Sequence, residues 1–329
     1  MARVLFVAPR PSTFIELDRA LLAERFEVVA LYGNRPQRNL RALHRAVHAA
    51  DLVFGWWAHL HTLAPFMLAR HTSTPTVLIF GGFDVANVPE VGYGSQRGGW
   101  RRAVSRWVMR CADVLATNAH YSAQELERNV GIPSERVTVI HHGVPDPYRV
   151  DPVAPDRLAI TVGNVDAINL ERKGLRPFVR AAARLPDVRF EVVGRHIDGA
   201  AQELRAIATA NVALTGFLDR TELEAHLRRA AAYVQASQHE GFGVSVAEAM
   251  LAGAIPVVTA AGALPEVVGE TGIVVDSAAP EPLAKAIGEA LQAGPERRRA
   301  ARERVLREFS VDARRRGLHA LVERALRAS

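Results

Sequence analysis

Short apolar runs alternate with longer segments of mixed polarity along the whole chain. Three of the longer segments, Gly174–Arg184, Glu222–Ala230 and Pro280–Gln292, have the length of crossover helices. Apolar strands that alternate with helices predict parallel sheets covered by helices on both faces. The predicted strands are Val4–Ala8, Phe26–Leu31, Leu52–Trp56, Thr76–Phe80, Val114–Thr117, Val137–His141, Leu158–Val162, Val188–Val193, Val212–Thr215, Ala232–Gln235, Ile255–Thr259 and Gly272–Val275.

A proline-rich stretch, PDPYRVDPVAPD at residues 145–156, divides this pattern into two series. Each series contains enough strands and helices for one doubly wound α/β domain, and prolines are frequent in linkers between domains. The sequence therefore predicts a domain over residues 1–150 and a second over residues 151–310, followed by a helix at about 311–329.

The composition is that of a packed globular protein, with 49% hydrophobic and 23% charged residues. The single cysteine, Cys111, excludes an internal disulfide, and no cluster of Cys and His residues suggests a zinc site. No apolar run approaches the ~18 residues needed to span a bilayer. The opening MARVLFVAPRP is typical of a first strand and not of a signal peptide, so a cytoplasmic protein is expected.

The net charge of +6 favours anionic partners, which are phosphorylated ligands, acidic membrane surfaces or nucleic acid. Of the 41 basic residues only Lys173 and Lys285 are lysines. Lys173 therefore stands out as a position where the chain uses a lysine in place of its usual arginine.

Ligands of open parallel sheets bind at the carboxyl ends of the strands, which directs attention to the loops that follow them. Four of these loops have unusual compositions: PRPST at 9–13, GGFD at 81–84, NVDAINLERKG at 164–174 and HEGFG at 239–243.

The HEGFG turn combines the features of an anion site with acidic residues. Gly241 and Gly243 allow close approach of the backbone, and a helix starting near Val244 would direct its free N–H groups at the turn. Glu240 and Glu248 lie on either side. Ionised carboxylates accept hydrogen bonds from sugar hydroxyls but repel phosphates. A nucleoside diphosphate sugar fits both features, because its diphosphate can bind at the turn and its two sugars can contact the two glutamates.

The spacing of Glu240 and Glu248, followed by AMLAGAIPVVTAAGALPEVVG, resembles the donor site of retaining family 4 glycosyltransferases with the GT-B fold. The resemblance covers nearly all of the second half of the chain and is looser in the first half. Further segments that carry it are Lys173-Gly174, EVVG at 191–194, LTGFLDRTEL at 214–223, CADVLATNAHYSAQEL at 111–126 and VIHHGVPD at 139–146.

The resemblance implies two Rossmann-like domains that face a central cleft, with the nucleotide sugar held mainly by the second domain and the acceptor by the first. The helix at about 311–329 would pack back on the first domain. Glu240, Lys173 and Asp84 are the implied catalytic residues. The implied donor-binding residues are Gly163, Asn164, Arg172, Lys173, Gly194, Arg195, Phe217, Leu218, His239, Glu240, Gly241, Phe242, Gly243, Val244 and Glu248.

Two positions depart from the family pattern. The family has an arginine after the strand glycine Gly163, where this chain has Asn164. Arg172 could supply that charge, or Asn164 could bind phosphate as a neutral donor. In GGFD, Gly81 replaces a histidine that would contact the donor sugar. Asp84 occupies the family's aspartate position, and the less favoured alternative for it is a helix cap or a turn residue.

The first domain offers weaker signals. Ser12, Thr13 and Gly82 are expected to contact the acceptor through hydroxyl and N–H groups. Glu266 resembles a family position that lines the donor site, although an ion pair or a capping role is equally consistent with it. Three histidines near these loops are more consistent with ordinary packing than with a site, namely His59, His61 and His120.

The segment Gly98–Cys111 spaces Arg102, Arg106 and Arg110 as one face of a helix. Membrane-associated members of the family use a basic amphipathic helix in this domain, which would permit peripheral contact with the inner membrane face. The alternative favoured by the sequence is a domain helix with a solvated arginine face and its tryptophans packed inward.

The sequence therefore predicts a retaining glycosyltransferase that uses a UDP- or GDP-sugar and a small-molecule, lipid-linked or polysaccharide acceptor. No nucleic acid partner, cofactor or metal is expected, and the chain contains no Asp-x-Asp pair to hold one. A nicotinamide oxidoreductase is excluded because no Gly-x-Gly-x-x-Gly follows a strand. The remaining alternative is a protein of the same fold that binds sugar nucleotides or carbohydrates without catalysis.

Overall fold

The computed structural model describes residues 1–33, 39–148 and 154–328, which form two compact units. The first unit contains Met1–Gly143 and the segment that starts at Val311, and the second contains Val144–Ser310. The division thus falls just before the proline-rich stretch. Residues 149–153 of the predicted linker lie outside the described part of the chain.

The first unit is built on a parallel sheet of six strands, in the order β2-β1-β3-β4-β5-β6. The central strands β3 and β4 are buried along their whole length, as strands covered on both faces must be. The strands are β1 (Arg3–Ala8), β2 (Glu27–Tyr32), β3 (Leu52–Trp56), β4 (Thr76–Phe80), β5 (Val114–Thr117) and β6 (Val137–Val139). The helices are α1 (Thr13–Ala23), α2 (Leu40–His48), α3 (Leu60–Thr72), α4 (Gly99–Cys111), α5 (His120–Val130) and, from the end of the chain, α14 (Val311–Arg327).

The second unit has a parallel sheet in the order β12-β11-β10-β7-β8-β9. Helices α7 and α12 contribute Phe178, Val179, Leu283 and Ile287 to the core on one face of this sheet. The strands are β7 (Leu158–Val162), β8 (Arg189–Val193), β9 (Val212–Gly216), β10 (Ala232–Gln235), β11 (Ile255–Thr259) and β12 (Ile273–Val275). The helices are α6 (Ala167–Arg172), α7 (Leu175–Ala181), α8 (Ala200–Ile207), α9 (Arg220–Arg229), α10 (Val244–Leu251), α11 (Leu264–Val268), α12 (Pro280–Leu291) and α13 (Pro295–Glu308).

Each sheet reverses its strand order at one place, and this determines where a ligand can bind. In the first unit the reversal lies between β1 and β3, and in the second it lies between β7 and β10. Chains leave such neighbouring strands toward opposite faces, which opens a crevice at their carboxyl ends. Three of the four unusual loops follow strands at a reversal, namely PRPST after β1, NVDAINLERKG after β7 and HEGFG after β10, and GGFD follows β4, the neighbour of β3.

Helix α14 is fastened to the first unit through a buried ion pair. Arg314 is 1% exposed and donates to both carboxylate oxygens of Asp18, at 2.9 and 2.6 Å. Asp18 also accepts from the indole of Trp56 at 3.1 Å, and Arg314 donates to the carbonyl of Ile140. The apolar face of α14 buries Leu318, Leu321 and Val322 beside these groups.

Every predicted strand is present, but two helical predictions were incomplete. The predicted loop 164–174 contains the short helix α6, which Asp166 caps by accepting from the N–H of Asn169 at 2.8 Å. Helix α13 was not predicted, because its many charged residues obscure the apolar positions of its buried face. Two of its arginines are buried and bind backbone carbonyls, as Arg298 does with those of Ala231 and Gly253.

The predicted solvated arginine face of α4 is confirmed for Arg102 and Arg110, which are exposed, whereas Arg106 is half-buried. Arg106 donates to Gln96 at 3.0 Å and to the carbonyl of Asn129, and Arg110 donates to the carbonyl of Val130 at 3.0 Å. These two side chains therefore satisfy the carboxyl end of α5, where free carbonyls need donors. The tryptophans were not both packed inward, since Trp100 is 53% exposed. Within the described ranges, no helix combines the length and the apolar character that crossing a membrane requires.

Asn211, just before β9, holds the end of the α7 region against the sheet. Its amide lies 3.2, 3.0 and 2.8 Å from the carbonyls of Ala182, Leu185 and Val188. We expect Asn211→Ala to lower the free energy of unfolding by about 1–3 kcal/mol, because these carbonyls lose their donor in a partly buried place. Urea unfolding followed by far-UV circular dichroism measures this loss. The exposed loop substitution Asn87→Ala is the control and should change the free energy by less than about 0.5 kcal/mol. Equal stability of the two variants would contradict the role given to Asn211.

Candidate functional site

The turn after β10 is held in an exact backbone position by close packing. Gly243, the residue before α10, has φ +106, a conformation that favours glycine. Gly262, in the loop after β11, passes so close that a Cβ there would lie 2.0 Å from the carbonyl oxygen of Glu240. The same carbonyl accepts from the N–H of Ala263 at 2.9 Å. The backbone of Glu240 is therefore fixed from two sides.

Two cations converge on one carboxylate at the reversal of the second sheet. The Nζ of Lys173 lies 2.9 Å from Oε1 of Glu240, and the guanidinium of Arg172 lies 3.5 Å from the same oxygen. All three side chains are 13–15% exposed. The predicted residues Lys173, Arg172 and Glu240 thus form one cluster that carries a net positive charge.

The cluster lowers the pKa of Glu240 despite its burial. Burial alone opposes ionisation and raises the pKa of this carboxyl group, but the charges of Lys173 and Arg172 act in the opposite direction. Hydrogen bonds from Lys173 and Ser237 add to the charges, and the net pKa lies below its ordinary value. Glu240 is therefore an ionised acceptor at neutral pH and not a proton donor.

A row of polar side chains on β10 and just after it supports Glu240, and it was not predicted. Gln235 and Ser237 each lie 3.2 Å from Oε1 of Glu240, and the hydroxyl of Tyr233 contacts Gln235 at 2.9 Å. The signal was present in the sequence. Positions 233 and 235 alternate along the otherwise apolar β10 and so face the same side, and position 237 continues this spacing just beyond the strand.

Gly163, at the end of β7, provides room for Lys173. A Cβ on Gly163 would come within 2.6 Å of the Cδ of Lys173. The lysine side chain therefore runs directly over the glycine to reach Glu240. Gly194, at the end of β8, has φ +153 and brings the two strand ends together, since a Cβ there would meet the carbonyl oxygen of Gly163 at 2.0 Å.

Glu248 lies one turn into α10, as predicted, and has its own cationic partner. Arg220, the first residue of α9, donates to Oε1 of Glu248 at 2.6 Å, and it also binds Glu224. Burial lowers the pKa of Arg220, but its hydrogen bond to Glu248 and that acid's charge outweigh it, so the net pKa is raised. Arg220 is a second residue that the sequence analysis missed.

The other predicted donor residues lie at the same end of the sheet with differing exposure. Arg195 stacks on Phe217, with its guanidinium carbon 4.4 Å from the ring centre, and Phe217 is 60% exposed. Asn164 is exposed. Phe242 is buried against Phe309, so only its backbone faces the turn. The remaining predicted residues are half-buried or buried within the same loops, namely Leu218, His239, Gly241 and Val244.

The first unit has a cavity of about 310 Å³ at its own sheet reversal. Trp57, which lines it, has φ +67, a conformation that is strained for a bulky residue. The lining combines aromatic and apolar residues with a guanidinium, a carboxyl group and two imidazoles. The residues that line the cavity are Pro9, Arg10, Trp57, His59, His61, Phe83 and Asp84.

Asp84 lies in this cavity wall, where its burial raises the pKa to about 7. Hydrogen bonds from the backbone N–H groups of Gly81 and Ala58 oppose the rise without cancelling it. Near neutral pH the carboxyl group is therefore present in both protonation states. His61 donates from Nε2 to the carbonyl of Trp56, 2.6 Å away, and burial lowers its pKa to about 4.

The structure also locates the weaker predictions of the first unit. Ser12 precedes α1, and its Oγ is buried without a hydrogen-bond partner among the described residues. Thr13 is exposed and Gly82 is buried. A side chain at Gly81 would meet the amide of Asn118 at 3.0 Å, and Asn118 is in turn bound by Arg314. Asn118 therefore lies close to position 81, where this chain has glycine in place of the family histidine.

Two family models match the chain and together follow its two units. Residues 3–146 match the model described as Glycosyltransferase Family 4, and residues 156–293 match the model described as Glycosyl transferases group 1.

Curated relatives include a glycogen synthase of Mycobacterium tuberculosis, which is 33% identical over 63% of this chain and 53% of the relative. A 2-deoxystreptamine glucosyltransferase of Streptomyces kanamyceticus is 31% identical over 51% of this chain and 48% of its own. The matched region thus spans about half the length of these relatives. An alpha-maltose-1-phosphate synthase of Mycolicibacterium smegmatis is 26% identical over 92% of this chain and 85% of the relative.

Solved structures share the fold over the whole chain. Anabaena HepE in complex with UDP and glucose superposes with a TM-score of 0.78, at 18% identity, over 98% of this chain and all of that one. Sucrose-phosphate synthase from Thermosynechococcus elongatus gives the same TM-score and identity and covers both chains completely. The predicted GT-B fold is confirmed.

Proposed function

The chain belongs to the family 4-like glycosyltransferases, and from this premise we propose that it transfers a sugar from a nucleoside diphosphate sugar to an acceptor hydroxyl. The donor would bind to the second unit and the acceptor to the first. UDP- or GDP-linked hexoses are the proposed donors.

The convergence of Lys173 and Arg172 on Glu240 is the observation that carries this proposal. A structural ion pair needs one cation, but here two share one carboxylate oxygen beside the amino end of α10. The surplus positive charge and the free N–H groups of the helix start suit a diphosphate. Arg172 thereby takes the role of the family arginine that Asn164 replaces.

The same cluster suggests how the glycosidic bond is broken. Negative charge builds on the leaving diphosphate, and a lysine ammonium held by Glu240 is already oriented toward that region. The ionised Glu240 would accept hydrogen bonds from hydroxyls of the transferred sugar, and Glu248 would accept from those of the ribose.

We propose retention of the anomeric configuration, with the acceptor attacking the face from which the diphosphate departs. A phosphate oxygen of the leaving group would take the acceptor proton, and the cations of the chain would stabilise the diphosphate without a metal. In the first unit, Asp84 has a pKa that suits it to exchange a hydrogen bond with the incoming hydroxyl in either protonation state.

A non-catalytic sugar-nucleotide or carbohydrate-binding protein is the second candidate, which Gly81 in place of the family histidine favours. The two candidates differ in one product. An enzyme liberates free UDP or GDP from a nucleotide sugar, whereas a binding protein shows affinity without release. A panel of UDP- and GDP-hexoses, assayed for the free nucleoside diphosphate, separates them.

Glu240→Gln tests the proposed role of the ionised carboxylate within the same panel. We expect turnover of the preferred donor to fall by about ten- to a hundredfold, because a charged acceptor of the sugar hydroxyls is lost. Lys173 and Arg172 lose their carboxylate partner in this variant, so turnover is measured well below its melting temperature, where the chain is folded. Glu281→Gln, on the exposed start of α12, is the matched control. Normal release by Glu240→Gln would remove the assignment.

A further inference from the structure

The guanidinium group of Arg172 is held along one edge by a single side chain. Its Nε and Nη2 both donate to Oδ1 of Asn169, at 3.1 and 2.9 Å. The remaining nitrogen, Nη1, lies 3.4 Å from the carbonyl oxygen of His239 and 3.5 Å from Oε1 of Glu240. The edge that faces α6 is therefore occupied by Asn169, and the Nη1 end is directed toward the turn after β10.

The amide group of Asn169 is fixed in one orientation by its own hydrogen bonds. Its Nδ2 donates to the carbonyl of Asn164 at 3.0 Å and to Oδ2 of Asp166 at 2.8 Å. Both amide protons thus have acceptors, and the amide oxygen faces Arg172. Turning the amide by 180° would bring its NH2 group against the guanidinium, where both groups are donors. The orientation that accepts from Arg172 is therefore the one that satisfies every partner.

Helix α6, which carries Asn169, is itself anchored at its start. Asp166 accepts from the backbone N–H of Asn169 through Oδ1, at 2.8 Å, so it binds both the backbone and the side chain of that residue. Asp198, in the loop after β8, accepts from the N–H of Ala167 at 3.1 Å and from that of Ala200 at 2.9 Å. The start of α6 is thereby tied to the start of α8, and Asn169 has a rigid support.

The backbone of Asn169 also supports the second cation of the cluster. Its carbonyl accepts from the N–H of Lys173 at 3.1 Å, and the carbonyl of Arg172 accepts from the N–H of Gln238 at 2.8 Å. Asn169 therefore contacts Arg172 through its side chain and Lys173 through its backbone. An alanine at position 169 removes the first contact and keeps the second, so the two cations can be tested separately.

Asn169 orients a guanidinium group without neutralising it. Arg220, by contrast, is bound by two acids, Glu224 and Glu248, which offset its charge. An arginine side chain loses rotamer entropy when it is fixed. Because Asn169 fixes Arg172 in the folded chain, an anion would meet a charge that is already aligned and would not bear that loss on binding. A neutral acceptor at this place thus suits an anion-binding arginine better than a structural one.

We propose that Asn169 is a positioning residue, which aligns the guanidinium of Arg172 for the diphosphate of the nucleotide sugar. The inference rests on the proposed function, which places Arg172 at the diphosphate. Asn169 acts through Arg172 and is not a catalytic residue. The Nη1 of Arg172 points toward Glu240, which the proposed function places beside the transferred sugar. The phosphate next to that sugar is therefore the one whose binding depends on Asn169.

Isothermal titration calorimetry of the full chain with UDP and UMP, and in parallel with GDP and GMP, tests this role without turnover. We expect Asn169→Ala to weaken binding of the diphosphate about fivefold, through loss of the alignment, and to leave the monophosphate within about twofold. Arg172→Met should weaken the diphosphate by about tenfold or more. The double variant should bind it as Arg172→Met does, because Asn169 acts only through that arginine.

Asn211→Ala is the matched control, since it makes the same substitution in the same unit. Asn211 precedes β9, so it lies at the amino end of the sheet, whereas the site lies at the carboxyl end. This variant should lose stability but keep the ratio of diphosphate to monophosphate affinity. A purely structural role of Asn169 would likewise leave that ratio unchanged. Monophosphate binding by Asn169→Ala also shows that its donor site is folded.

The possible results separate this inference from the proposed function. The expected pattern without release of UDP or GDP from any sugar donor supports the role of Asn169 and makes the chain a binding protein. Equal weakening of diphosphate and monophosphate by Asn169→Ala overturns the inference, because it indicates a general distortion of the loop. A diphosphate affinity that falls in Arg172→Met but not in Asn169→Ala also overturns it. Failure of the unaltered chain to bind any of the four nucleotides overturns both proposals.

Discussion

Lys173→Met should reduce turnover of the preferred nucleotide sugar by about 10²–10³, the cost of removing one preorganised group that stabilises a leaving-group charge. Methionine keeps much of the side-chain volume above Gly163 but brings no charge to Glu240. Arg172 remains beside that carboxylate at 3.5 Å, so the acid keeps one cationic partner and the fold should persist. Steady-state release of the nucleoside diphosphate measures the effect.

The chain contains a matched control for this substitution in its only other lysine. Lys285 is exposed on α12 in the same unit, and Lys285→Met removes an equal charge far along the chain from the turn after β10. Its turnover should lie within about twofold of that of the unaltered enzyme, as surface substitutions usually do. Equal turnover of Lys173→Met and Lys285→Met would show that the ammonium of Lys173 does not stabilise the leaving group.

Asp18→Asn should lower the free energy of unfolding of the first unit by about 3–5 kcal/mol, because it leaves the guanidinium of Arg314 as a buried and uncompensated charge. Arg314 and Asp18 are each 1% exposed, so solvent cannot replace the lost carboxylate. All four tryptophans of the chain lie in the first unit. Urea unfolding followed by tryptophan fluorescence therefore reports the unit in which the change is made.

An exposed ion pair of the same helix provides the comparison. Arg315, the next residue along α14, binds Glu24 at 2.8 Å, with side-chain exposures of 34% and 47%. Glu24→Gln should cost no more than about 1 kcal/mol, since exposed pairs contribute little. Similar urea midpoints of unfolding for Asp18→Asn and Glu24→Gln would mean that burial does not set the strength of the ion pair between Arg314 and Asp18.

The strands were predictable because a buried parallel strand consists of consecutive apolar residues. Leu52–Trp56 and Ile255–Thr259 have the predicted ends, and every residue in them is buried. Helix α13 could not be predicted in the same way. Its apolar positions are few, and buried arginines such as Arg298 take their place by binding carbonyls of the sheet and its loops.

The turn after β10 was predictable for the same local reason, since its glycines and acids are neighbours in the sequence. The partners of the acids were harder to foresee, because pairing depends on how helices and strands are placed in space. Glu248 meets Arg220 across 28 positions, and Glu240 meets Lys173 across 67. Lys173 was marked in advance by its rarity and Arg172 as a possible substitute for the family arginine, whereas Arg220 was not marked.

The contact between Arg314 and Asp18 joins positions 296 residues apart. A ribosome that has released the first sheet must still produce the entire second unit before the partner of Asp18 emerges. During that interval the apolar surface that α14 covers is exposed, and Trp56 is the hydrogen-bond partner that remains to Asp18 among the described residues. The second unit is continuous in the chain, so it can finish folding while the first waits for its last helix. Newly made copies would therefore pass through a stage in which a chaperone has a defined apolar surface to protect.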